Sequence, residues 1–108
     1  MVDMNKFFST ILDGAKDIAR ESLDGLVDQA ENDTRAFLLA SKADLEKWLK
    51  QLNAGQINKA QFENLVQGQE DLVQMHALTE AGVAAAALQR FREKLINLVI
   101  DAAFKALP

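Results

Sequence analysis

The sequence predicts an all-α protein, and three observations carry that prediction. Proline occurs once, as the last residue, Pro108, so nothing in residues 1–107 removes a helix hydrogen bond or clashes with a preceding turn. Tyrosine is absent, and β-branched residues are outnumbered by Ala, Leu, Lys, Glu and Gln, which leaves a sheet short of the side chains that fill its pleats. Finally, Leu12-Asp13-Gly14 returns as Leu23-Asp24-Gly25 eleven residues on, and the pairs Asp17/Asp28 and Ala19/Ala30 keep the same offset. Eleven residues make three turns at about 3.67 residues each, so such a repeat keeps one face aligned along a nearly straight helix.

The first helix is expected over about 3–52. Its apolar and small face reads Phe8, Ile11, Ala15, Ile18, Ser22, Leu26, Ala30, Thr34, Phe37, Ser41, Leu45, Trp48 and Leu52, with the eleven-residue period throughout. Glycine inside a helix costs roughly 1 kcal/mol relative to alanine, so Gly14 and Gly25 need a reason. Together with Ala36 they form a row of small residues at spacing eleven, which suits the close approach of another helix.

A turn is expected at 53–57. Gly55 can adopt the left-handed conformation that ends a helix. Asn58 is a good N-cap, and Gln61, three residues later, completes a capping box. Ile57 before the cap and Phe62 at the fourth helical position have the spacing of a hydrophobic staple. These five residues agree on one tight helix–turn–helix.

The pattern Leu49-x-x-Leu52-x-x-Gly55-x-Ile57-Asn58-x-x-x-Phe62 resembles the SHOCT domain, a short helical module with a leucine-rich helix, Gly-x-Ile-Thr and an acidic turn leading to a Phe. The resemblance covers about residues 45–67. It departs from the family at Asn58, which replaces the usual Thr, and at Lys59-Ala60-Gln61, which replaces the acidic run. The family is associated with oligomerisation, so the resemblance implies interaction rather than catalysis.

The second helix is expected over about 59–107, with a face including Phe62, Val66, Gln69, Val73, His76, Val83, Ala87, Phe91, Leu95, Leu98, Ala102 and Ala106. Two helices of about 70–75 Å joined by a tight turn make an antiparallel hairpin in a single domain, 1–108. One hairpin seam leaves apolar side chains over. They are Phe7, Leu12, Leu23, Leu38, Leu39 and Leu49 on the first helix, and Leu65, Leu72, Leu78, Leu88, Ile96 and Ile100 on the second. Dimerisation into a four-helix, coiled-coil-like bundle covers them. The alternative is a monomeric bundle of four shorter helices, with breaks at Asn32-Asp33-Thr34 and at Thr79-Glu80-Ala81-Gly82.

Catalytic chemistry finds little support. His76 is the only histidine, and Glu80 follows it by one helical turn, which gives a speculative polar site. The competing reading is a histidine at a helix contact, hydrogen-bonded to a neighbour. A Glu-x-x-His di-iron motif is absent because position 73 is Val73. Calcium-loop, dinucleotide, P-loop and nucleophile-elbow patterns are missing too. With no cysteine, thiolate metal sites and disulfides are excluded. No catalytic, cofactor-binding or metal-binding residue is therefore assigned. The spaced carboxylates Asp13, Asp17, Asp24 and Asp28 read as a solvated acidic face.

Net charge is −4, and residues 3–33 hold eight acids against three bases. That balance argues against nucleic acid as a partner, since no basic stripe exists to displace counterions. The basic cluster Arg90, Arg92 and Lys94 is expected to pair with the acids near 17–28 and to help select register. The longest uncharged run, Ala81–Gln89, is far below the ~20 residues of a bilayer span, and the chain reads as soluble and cytoplasmic.

The functional expectation is a self-associating helical scaffold or interaction protein without catalytic activity, its partner itself or another helical protein. The expected interface residues are Phe37, Trp48, Val83, Ala87, Phe91 and Leu95. An alternative is a peripheral lipid-binding protein with Met4-Asn5-Lys6-Phe7-Phe8 as an insertion tip, which the acidic first third disfavours. A ligand- or metal-binding bundle built on His76 ranks third.

Overall fold

The computed structural model describes residues 3–107. Every regular element among them is helical: α1 (Met4–Ser22), α2 (Val27–Asn53), α3 (Lys59–Gln67), α4 (His76–Glu80) and α5 (Ala85–Ala106), with one 3₁₀ turn at Glu70–Leu72. The all-α class follows directly. The continuity of the two long helices does not.

The helix begins where the sequence reading put it. Asp3 caps α1, its Oδ1 accepting the N–H groups of Asn5 at 3.0 Å and Lys6 at 3.2 Å. Phe7, Ile11, Ala15 and Ala19 then form a buried ladder at four-residue spacing. The helix expected over 3–52 breaks at Leu23–Leu26, where Asp24 (φ 52°) and Gly25 (φ 78°) both turn left-handed. Consequently Ser22, placed on the apolar face by the eleven-residue period, is exposed, and Leu23 is buried instead. Asn32-Asp33-Thr34, the other candidate break, lies uninterrupted in the second turn of α2.

Between α2 and α3 the local signals hold. Gly55 is left-handed (φ 76°), and the N–H of Gln56 donates to the carbonyl of Gln51 at 2.9 Å, closing the end of α2. Asn58 and Gln61 form the reciprocal capping box, each bond 2.8 Å long. Ile57 is half-buried and Phe62 fully buried.

The second long helix, expected over 59–107, is three helices. The α-helix ends at Gln67 and does not resume until His76, with the 3₁₀ turn between. It breaks again after Glu80, ahead of Gly82 (φ 89°), which is the second break of the four-helix alternative.

Packing follows from these breaks. α1 folds back antiparallel on α2 and also packs against α5; α3 fills the other side, between α2 and α5; the 3₁₀ turn and α4 lie on α2. α2 spans the molecule: its 27 residues make about 40 Å, against a longest dimension of 43 Å. The Phe62 and Phe104 rings meet at 5.9 Å and Lys59 Nζ sits 5.2 Å from the Phe104 centroid, which fixes α3 to the end of α5. Of the expected small-residue row, Gly14 alone serves close approach: a Cβ there would lie 2.7 Å from both δ-carbons of Leu98 on α5. Gly25 serves the turn, and Ala36 faces solvent.

Candidate functional site

The break at 68–75 relocates the one histidine. His76 opens α4, exposed, with Nε2 3.2 Å from Gln74 Oε1. It does not lie beside an apolar stripe, because eight non-α-helical residues separate it from the register of α3. Glu80 is exposed at the other end of the same short helix. Among the described residues no group of three or more His, Asp or Glu is placed to hold a metal ion.

The buried polar residue here is one the sequence reading assigned elsewhere. Asp33 is 2% exposed, and its carboxylate accepts the N–H of Ala77 at 3.0 Å and of Leu78 at 2.9 Å. It does cap a helix, but that helix is α4, 45 residues away. Two further bonds hold the same segment from α5: Gln89 Nε2 donates to Glu70 Oε1 at 3.0 Å, and Arg92 Nη2 to the Val73 carbonyl at 3.3 Å. Arg92 is thus occupied within its own neighbourhood. The ion pairs among the described residues are Lys16–Glu31, Arg20–Asp17, Arg35–Glu31 and Lys50–Glu46, so the expected pairing of Arg90, Arg92 and Lys94 with acids 17–28 is not formed.

The expected interface residues are largely interior. Phe37, Phe91 and Leu95 are core side chains of the single chain, and Trp48, Val83 and Ala87 are half-buried against that core. The apolar surplus is absorbed in the same way. Phe7, Leu23, Leu38, Leu49, Leu78, Ile96 and Ile100 are buried, and Leu12, Leu65 and Leu88 half-buried. The reason is geometric: breaking each long helix lets its apolar residues be covered from two or three sides instead of one seam. The Met4–Phe8 stretch is the first turn of α1, with Phe7 inward and Phe8 half-buried.

What remains outside is Leu39, 66% exposed, and to a lesser degree Leu72 at 41%. Leu39 stands on the rim of a shallow hollow of about 400 Å³ between α1 and α2. Helical spacing builds the hollow: Asn5, Phe8, Ser9, Leu12, Asp13 and Lys16 line one wall, and Glu31, Arg35, Leu38 and Leu39 the other. Phe8 and Leu12 give it a half-exposed apolar floor, with Leu38 buried beneath. At one end Glu31 bridges the two helices, 3.3 Å from Lys16 Nζ and 2.8 Å from Arg35 Nη2. The Arg35 guanidinium first, then the Lys16 ammonium, hold the Glu31 carboxyl below the ordinary glutamate value. With Asp13, the lining carries two acids and two bases, a neutral patch on an acidic protein.

Leu39 was legible only as one of twelve surplus apolar residues. A signal was there to use: Leu39 shares its helix face with Arg35, Lys42 and Glu46, whereas Leu38 shares one with Ser41, Leu45 and Leu49. No family model, curated protein or solved structure matches the chain. No helix among the described residues is long and apolar enough to cross a membrane.

Proposed function

We propose that this is a non-catalytic helical interaction protein that self-associates through the α1–α2 hollow. The observation that carries this reading is Leu39, the most exposed large apolar side chain among the described residues, standing beside a hollow floored by Phe8 and Leu12. A knob next to a hollow is self-complementary under two-fold rotation: each copy sets its Leu39 in the hollow of the other. The balanced lining, Asp13 and Glu31 against Lys16 and Arg35, favours the same occupant. Glu31 is paired with Lys16 and Arg35 within the chain, so this patch adds little to the repulsion between two copies at net −4. The core is closed within one chain, so association is reversible rather than a condition of folding. The SHOCT-like turn over Leu49–Phe62 supports the same class of role.

The test is solution mass by light scattering across a hundredfold dilution, for the parent chain and for Leu39→Glu. The expected result is a mass rising from 11.9 kDa toward twice that value in the parent, and a constant monomer mass in the variant. A parent chain that stays monomeric up to several hundred micromolar sinks the reading.

A further inference from the structure

The same tripeptide takes two conformations in this molecule. Leu12-Asp13-Gly14 is α-helical, and Leu23-Asp24-Gly25 is the turn between α1 and α2. In the turn, Asp24 is the one non-glycine residue with positive φ among those described, a conformation L-residues adopt at a cost. The ends of the turn are anchored by Leu23, buried, and by Leu26, half-buried, but its two left-handed residues have no tertiary support. Asp24 and Gly25 are exposed, a Cβ at Gly25 would meet nothing within 4 Å, and Leu26, at the N-cap of α2, makes no side-chain cap. The turn's bonds are all local: Leu23 and Gly25 N–H to the Ala19 carbonyl of α1 at 2.9 and 3.2 Å, Leu26 N–H to that of Leu23 at 3.0 Å, and Val27 N–H to that of Gly25 at 2.7 Å.

We propose that Leu23–Leu26 is a hinge that can straighten into helix, freeing α1 to pack on the α2 and α5 of a second copy, which returns its own α1 in exchange. The sequence suits both states. Along one continuous helix the inward residues Ala15 and Ala19 of α1 line up with Phe37 and Ala30 of α2, at spacings of twenty-two and eleven. The exchanged arm buries the same Phe7, Ile11, Ala15 and Ala19 contacts as before, so little core packing is lost, and the left-handed strain at Asp24 is relieved. This exchange goes beyond association through the Leu39 surface, because the α1–α2 contact itself passes from one chain to two and Leu39 need not be covered.

The native chain has no cysteine, which gives a clean reporter. Lys16→Cys with Glu31→Cys places two thiols where the side chains now meet at 3.3 Å across α1 and α2. A short thiol–thiol cross-linker then joins the helices within one chain in the closed form, and between two chains in the exchanged form. Lys16 and Glu31 line the hollow, so the cross-linking is done in the Leu39→Glu background, where no dimer forms through the hollow and only the exchanged form gives a covalent dimer on a denaturing gel. In this background Gly25→Ala strains the turn and favours the helix, so it is expected to shift the equilibrium toward exchange roughly tenfold per hinge, about a hundredfold for the dimer. Asp24→Gly, which accepts the left-handed turn, is expected to lower the covalent dimer below the parent. All three proteins are unfolded in urea and refolded at high concentration before cross-linking. If Gly25→Ala fails to refold by circular dichroism, Asp24→Ala, with the milder backbone change, is read the same way. A covalent-dimer fraction that is the same in the strained and relaxed hinge variants overturns the proposal. The Leu39→Glu background separates the two modes: it abolishes reversible dimer in light scattering and leaves the hinge-dependent covalent dimer as the readout.

Discussion

The starts of α3 and α4 are closed by the same chemistry from opposite distances. α3 is capped by its own sequence, Asn58 Oδ1 accepting the Gln61 N–H at 2.8 Å while the Gln61 side chain returns the favour to Asn58. α4 has no capping side chain of its own, since Met75 precedes it. Its first turn is closed instead by Asp33, 2% exposed on α2, which accepts two of its N–H groups. The local cap is exposed and competes with water. The distant cap is buried, so water cannot replace it. The same type of bond therefore carries different weight at the two sites, and α4 exists as a helix because α2 is beside it.

The largest effect is expected at the distant cap. Asp33→Ala leaves the N–H groups of buried Leu78 and half-buried Ala77 without acceptors and should cost about 2–4 kcal/mol in urea unfolding. Hydrogen exchange should accelerate first at Ala77 and Leu78, with the α1–α5 contact still protected. Asp33→Asn, which keeps one acceptor oxygen, should fall between. Uniform acceleration across all helices would break the comparison, because α4 would then not be a separately held element. At the local cap, Asn58→Ala should cost about 1 kcal/mol and leave α3 formed, because Phe62 and Val66 anchor it in the core.

Thr34 sharpens the contrast from the other side. It sits beside Asp33, fully buried, yet its hydroxyl has no partner in the protein. Thr34→Val removes an unsatisfied group at similar shape and should raise stability by up to about 1 kcal/mol, read as a higher urea midpoint at constant slope. The smallest effect belongs to Glu31, two residues before Asp33. Its folded carboxyl is held down by Arg35 and Lys16, so its contribution is complete above the unfolded value, about 4.3, and fades as pH falls through the lower folded value. Glu31→Gln should make the urea midpoint less sensitive to pH in that acid window and change little near neutrality.

Legibility in the sequence followed the range of the interactions. The Gly55–Phe62 turn was readable residue by residue, because the left-handed glycine, the capping box and the staple all lie within eight positions of the chain. The break at Gly82 was readable as an alternative for the same reason. The break at Leu23–Leu26 was not, since the tripeptide that forms it is helical at 12–14. Gly14 sits under Leu98 in the middle of a helix crossing, whereas Gly25 has no neighbour at all; only the docking of α1 on α5 separates them. The candidate surface was legible even less. Leu38 and Leu39 are adjacent and identical, yet Leu38 is 1% exposed and Leu39 66%, because the neighbouring helices cover only one face of α2.

The sequence by itself determined the helical class, the absence of cysteine chemistry, the start of α1 at Asp3 and the capped turn after α2, because each rests on propensity or on hydrogen bonds between near neighbours. The tertiary structure decided the number of helices, the burial of the apolar surplus, the capping of α4 by Asp33 and the exposure of Leu39. Those depend on which faces meet, and an eleven-residue stripe is compatible with both a long straight helix and one folded back on itself. The left-handed Asp24 and Gly25 permit the fold-back at a small backbone cost, and the packing of α1 against α2 and α5 stabilises it.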